Sequence, residues 1–106
     1  MGLYDTLRQE DKPYVQEVVG FISEHNVEVE LAGLATTGDH YDSIDVHVRG
    51  SADAIKDVVD GFLGKSEQPF RNKAKDGSLY GVRRTDGSNL EILVHGTKLD
   101  VYCIEE

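Results

Sequence analysis

The chain is poor in cations, holds a single cysteine and contains no long apolar run. Eleven lysines and arginines stand against twenty aspartates and glutamates, a formal net charge of −9 at pH 7. A protein that tracks nucleic-acid phosphates needs a basic surface, so direct nucleic-acid binding is not expected. The balance suits a metal or metal-nucleotide ligand, a basic protein partner, or a plain solvated acidic surface. Cys103 has no partner for an internal disulfide and no second thiolate for a cysteine zinc site. No segment has the length and apolarity of a membrane span, and no secretory leader pattern is seen. The expectation is a reduced, cytoplasmic setting without membrane contact. The five tyrosines form no evenly spaced stacking platform. No Ser/His/Asp or Cys/His catalytic spacing occurs. The loop around Asp39, His40 and Asp42 lacks the acid spacing and closing glutamate of an EF-hand.

What is present suffices for one domain. The chain has 106 residues, 39% apolar and 29% charged, which favours a folded core over disorder. Its centre of organisation is Leu31 to Arg49. Over residues 43–49, Ile44, Val46 and Val48 alternate with Ser43, Asp45, His47 and Arg49. Period two predicts a half-buried strand with one apolar face and one carrying a carboxylate and an imidazole.

Residues 1–10 read as a loose first turn, with Leu3, Tyr4 and Leu7 able to dock. A helix is predicted from about Lys12 to His25, capped by Asp11, with Pro13 in its first turn and Asn26 as its stop. Val15, Val18, Val19 and Ile22 form its apolar stripe. Val27, Val29, Leu31 and Gly33 alternate with polar residues and predict a strand ending at Gly33. After a loop at 36–42 and the 43–49 strand, Ser51 caps a second helix that Gly64 ends; its stripe is Ile55, Val58, Val59 and Phe62. Residues 65–77, with Lys65, Arg71, Lys73 and Lys75, read as a loop. Strands at 79–84, 90–95 and 99–104 follow, joined by tight turns at Asp86-Gly87 and Gly96-Thr97.

The expected architecture is therefore α+β, αββαβββ: one five-stranded mixed or antiparallel sheet with both helices on one face. The helix side takes the apolar set, including Tyr80, Val82 and Cys103. The other face takes Glu28, Glu30, Asp45, His47, Arg49, Glu91, His95, Asp100 and Tyr102. Leu93 and Ile104 share that polar face, and a homodimer packed there would account for them.

The order of a helix, an apolar strand ending in glycine, a polar loop and a strand with an apolar-Asp-apolar core resembles the opening of the minimal, antitoxin-type nucleotidyltransferases. Ala32-Gly33 matches the start of that family's motif, Ile44-Asp45-Val46 its second acid, and Leu99-Asp100-Val101 its third-acid strand. The resemblance implies a magnesium-nucleotide site. In it Asp45 and Asp100 are the catalytic acids, and Gly33 and Ser43 lie against the nucleotide. Acids at i and i+2 on one strand face, with a third from a neighbouring strand, would hold two magnesium ions on a triphosphate. The departures fall on the chemistry. Leu34 stands where the second small residue belongs and Ser43 where the first acid belongs. Asp42 could substitute for that acid only if a bulge turned it onto the open face. Such losses remove most of a two-metal site's charge stabilisation, so the implied function is a catalytically degenerate domain that binds a nucleotide or a protein partner. Two alternatives stand beside it. One is a non-enzymatic acidic dimeric binding module. The other is a metal protein using Asp45, His47 and Asp100, with His95 nearby.

Overall fold

The computed structural model describes residues 7–36, 42–64, 81–94 and 96–106. The readings placed on residues 1–6, on His40, on the basic run 65–77, on Tyr80 and on His95 lie outside these. The elements are α1 (Lys12–Ser23), β1 (Val27–Thr36), β2 (Asp42–Gly50), α2 (Ala52–Leu63), β3 (Gly81–Arg84), β4 (Leu90–Val94) and β5 (Thr97–Glu105). This is the expected αββαβββ order.

The five strands form one mixed sheet in the order β1-β2-β5-β4-β3. β1 and β2 are an antiparallel hairpin, and β3, β4 and β5 are an antiparallel meander. The two units meet where β5 lies parallel to β2, with Ile44 opposite Leu99, Asp45 opposite Asp100 and Val46 opposite Val101. A parallel pair cannot be closed by a tight turn, so the chain between them crosses to the far edge through α2 and returns by the meander.

One core lies between the sheet and the two helices. Val15, Val18 and Ile22 from α1 and Ile55, Val58, Val59 and Phe62 from α2 cover Ile44, Val46, Val48, Leu90, Ile92, Val94, Leu99 and Val101. Val27, Val29, Leu31, Val82 and Cys103 pack at its margin. The α2 cap is as expected: the Ser51 hydroxyl accepts from the Ala54 N–H at 3.2 Å, and Gly64 ends the helix with a left-handed φ of 80°.

Three local expectations need correction. α1 stops at Ser23, two residues short of His25, because its end tightens: the His25 N–H bonds to the Ile22 carbonyl and the Val27 N–H to the His25 carbonyl. β1 does not end at Gly33 but continues to Thr36. Gly33, at φ 74°, lies where the register slips between Ala32 and Leu34, a bulge that a residue without a Cβ accommodates cheaply. Asp11 occupies the N-cap position without making a side-chain cap bond.

The Asp11 carboxylate is used elsewhere. It is 1% exposed, accepts from Arg8 Nε at 3.0 Å and from the Gly96 N–H at 3.3 Å. Arg8 in turn donates to the Gly96 carbonyl at 2.9 Å, and that carbonyl also accepts the Asp42 N–H at 3.0 Å. The start of α1 is thereby tied to the β4–β5 turn and the start of β2. A Cβ at Gly96 would come within 2.7 and 3.0 Å of the two Asp11 oxygens, so glycine is required there by proximity.

Asp11→Ala leaves the Gly96 N–H and one Arg8 donor without this acceptor. It is expected to cost about 2 kcal/mol, discounted because Arg8 is half exposed. Gly96→Ala should cost about 1–3 kcal/mol by overpacking. Urea midpoints with an unchanged slope are the check, and the double variant should lose less than the sum. Thr97 gives the opposite sign. Its hydroxyl is fully buried without a hydrogen-bond partner among the described residues. Thr97→Val is expected to raise stability by up to about 1 kcal/mol in the same measurement.

Candidate functional site

The face of the sheet away from the helices carries the candidate residues, and the register assembles them in rows. Alternation sends Asp45, Asp100, Glu91 and Arg83 to this side while their neighbours Ile44, Val46, Leu99, Val101, Leu90 and Ile92 fill the core. Strand pairing then sets Ala32, Asp45, Asp100, Glu91 and Arg83 side by side across all five strands. Neighbouring strands are about 4.8 Å apart, so the backbone positions of three acids follow one another at that spacing. Like charges directly opposite are unfavourable. Two donors relieve the row. The Ser43 hydroxyl donates to Asp100 Oδ2 at 3.2 Å, and Arg83 Nη2 donates to Glu91 Oε2 at 3.0 Å. The Arg83 pair sits at the exposed rim and contributes at most about 1 kcal/mol.

A second row runs Glu30, His47, Tyr102. The His47 and Tyr102 rings meet edge to face, with centroids 5.7 Å apart and planes at 82°. Among the described residues Tyr102 is the large apolar side chain most open to solvent, at 41% exposure. Leu93 and Ile104 also lie on this face, half buried.

The structure brings together Ser43, Asp45 and Asp100 from two adjacent parallel strands, with Gly33 on β1 next to the Ala32–Asp45 pair. Asp42 does not join them. It shares the parity of Ile44, no bulge interrupts the β2–β5 register, and its carboxylate lies 3.9 Å from Arg8 Nε. His47 sits one row along from Asp45 and is engaged with Tyr102. Among the described residues no group of three or more His, Cys, Asp or Glu side chains is gathered closely enough to hold a metal ion. Asp45, His47 and Asp100 therefore share a face without forming such a group. Gly33 sits inside a strand, not at the strand-ending turn that would present N–H groups to a phosphate.

Two residues escaped the sequence reading as members of the site. Glu91 was assignable to the open face by alternation, but its place beside Asp100 follows only from the strand order. Arg83 likewise enters through its cross-strand neighbour Glu91.

Cys103 stands apart from this face. It packs at the core margin, its N–H donates to Asn89 Oδ1 at 2.9 Å, and burial pushes its thiol up to about 11. Both features suit a packing residue better than a reactive thiolate. A shift of this size lowers the thiolate fraction at pH 8 about a hundredfold relative to an ordinary thiol. Iodoacetamide is expected to alkylate the folded chain slower by about that factor, with the normal rate restored in urea.

Comparison with known proteins finds no matching family model, no matching curated protein and no matching solved structure.

Proposed function

We infer that the chain is a nucleotidyltransferase-like domain that works by binding and does not transfer phosphoryl groups. The observation that supports this most directly is the Ser43–Asp100 hydrogen bond. In the reading by resemblance Ser43 corresponds to the first metal acid, Asp45 to the second and Asp100 to the third, and the Ser43 hydroxyl donates to the Asp100 carboxylate. Two further observations support the reading. The β1–β2 hairpin leads into α2, and Asp100 comes from the strand adjacent to Asp45. Two carboxylates and a hydroxyl give one cation a partial ligand set. Water and nucleotide phosphates would complete the shell of a single magnesium ion, which ordinarily retains several waters. Among the described residues, no further acid beside Asp45, Asp100 and Ser43 completes a ligand set for a second ion and the charge stabilisation it would give a transferring phosphoryl group.

A second reading is a non-enzymatic module whose open face takes a protein, including a second copy of the chain. Tyr102, Leu93 and Ile104 favour it. The Asp45, Asp100 and Glu91 row weighs against closing that face on itself, because a second copy adds three more carboxylates.

The discriminating experiment is a titration of magnesium with ATP, GTP and CTP, followed by amide shifts. Shifts grouped at residues 32–34, 43–46 and 99–101, without product formation, are expected. Ser43→Asp should tighten magnesium binding about tenfold by restoring a ligand charge. If no amide moves at millimolar nucleotide, nucleotide binding is refuted. A concentration-dependent sedimentation coefficient that Tyr102→Asp abolishes would then favour the protein-binding reading.

A further inference from the structure

β1 is an edge of the sheet, and among the described residues nothing pairs with its outer side. An antiparallel strand turns the N–H and C=O of alternate residues toward its neighbour and those of the residues between them away. Val27 sets the phase. Its N–H bonds to the His25 carbonyl at 2.8 Å, and the carbonyl of its cross-strand partner Gly50 accepts the Glu106 N–H at 2.9 Å, on the β5 side. Val27 therefore does not bond to β2, and the period of two makes Val29 and Leu31 the next residues with N–H and C=O pointing outward. The side chains of Val29 and Leu31 lie on the helix-covered face, packed at the core margin. Glu28 and Glu30 lie on the open face and are exposed. The bulge at Gly33 ends this regular stretch.

A cleft of about 460 Å³ opens between α1 and β1, lined by Gln16, Val19, Gly20 and Leu31. Gly20 adds no side chain, and apart from its own helix backbone no atom of the described residues lies within 4 Å of where its Cβ would stand. The edge thus offers three things in register: backbone groups with no strand partner among the described residues, an apolar recess on one side and alternate carboxylates on the other.

We propose that β1 is a docking edge for an extended segment of a partner protein in which basic and apolar residues alternate. The segment adds to the sheet beside β1, its backbone bonding to Val29 and Leu31. Its apolar side chains turn under α1 into the cleft, and its lysines or arginines turn the other way, beside Glu28 and Glu30. Self-pairing of two copies along this edge suits it less well, since each brings its own Glu28 and Glu30 and a net charge of −9. The proposal does not rest on the nucleotide reading, which concerns Gly33, Ser43, Asp45 and Asp100, although Glu28 and Glu30 border the same open face.

The test titrates the isotope-labelled full chain with the peptide acetyl-Lys-Val-Lys-Val-Lys-Val-amide and follows amide shifts and amide exchange. Shifts should concentrate at residues 16–20 and 27–32, with exchange at Val29 and Leu31 slowed about tenfold. A peptide of the same composition in blocks, three lysines then three valines, should bind about tenfold more weakly. Val29→Pro removes one outward N–H while sparing the β2 ladder, and Glu28→Lys with Glu30→Lys inverts the charge; each should weaken binding about tenfold. The proposal is overturned by any of four results: shifts centred on Asp45, Asp100 and Tyr102; equal binding of the block peptide; no shift at millimolar peptide; or, without peptide, exchange at Val29 and Leu31 that slows as the protein is concentrated, which marks self-pairing.

Discussion

The parallel ladder between β2 and β5 is the interaction on which the rest of the molecule depends. Each strand has nine residues, and they pair along their whole length. Without it the chain would be a two-stranded hairpin and a three-stranded meander, each with half a core facing water; small sheets of that kind are marginal alone. With it, Ile44, Val46, Val48, Leu99 and Val101 become fully buried at the centre of the sheet. The ladder is fastened at both ends. The Asp42 N–H and the Arg8–Asp11 pair hold Gly96 at one, and the Glu106 N–H reaches the Gly50 carbonyl at the other. The buried Asp11 is tolerated because both of its oxygens have hydrogen-bond donors.

The same ladder creates the electrostatic character of the open face. Pairing Ile44 with Leu99 for the core necessarily pairs Asp45 with Asp100 on the other side, and the meander adds Glu91. Three carboxylates in a row work against sheet stability. Ser43 and Arg83 offset part of that. The open face and the β1 edge are therefore adjoining surfaces of an acidic chain, meeting at Glu28 and Glu30. One is defined by side chains in rows, the other by unpaired backbone beside a recess.

Much of the fold was legible because its signals are local. Period two at 43–49 and at 99–104, the i, i+3, i+4, i+7 stripes of Val15–Ile22 and Ile55–Phe62, and Ser51 and Gly64 as helix boundaries all lie within a few residues of what they specify. The end of α1 was misread for a local reason, while the misreadings of Gly33 and Asp11 share a different one. Gly33 looked like a strand end because glycine ends many strands, yet pairing with β2 carried the chain through it as a bulge. Asp11 looked like a cap because aspartate caps many helices. Its carboxylate is instead held by Arg8 and by Gly96, the latter 85 positions away. In each case a distant segment offered the backbone or side chain a better partner than the local one.

What the sequence by itself determined is which face each side chain takes, since alternation along a strand is a property of the backbone alone. That placed Asp45, His47, Glu91, Asp100 and Tyr102 together on the open side. Which of them are neighbours was decided only by the tertiary structure. The order β1-β2-β5-β4-β3 arises because the core is sealed by inserting the last strand between the hairpin and the rest of the meander. That step depends on burying side chains from opposite ends of the chain, and no local pattern encodes it. It set Asp100 between Asp45 and Glu91, put His47 against Tyr102, and left β1 at the edge.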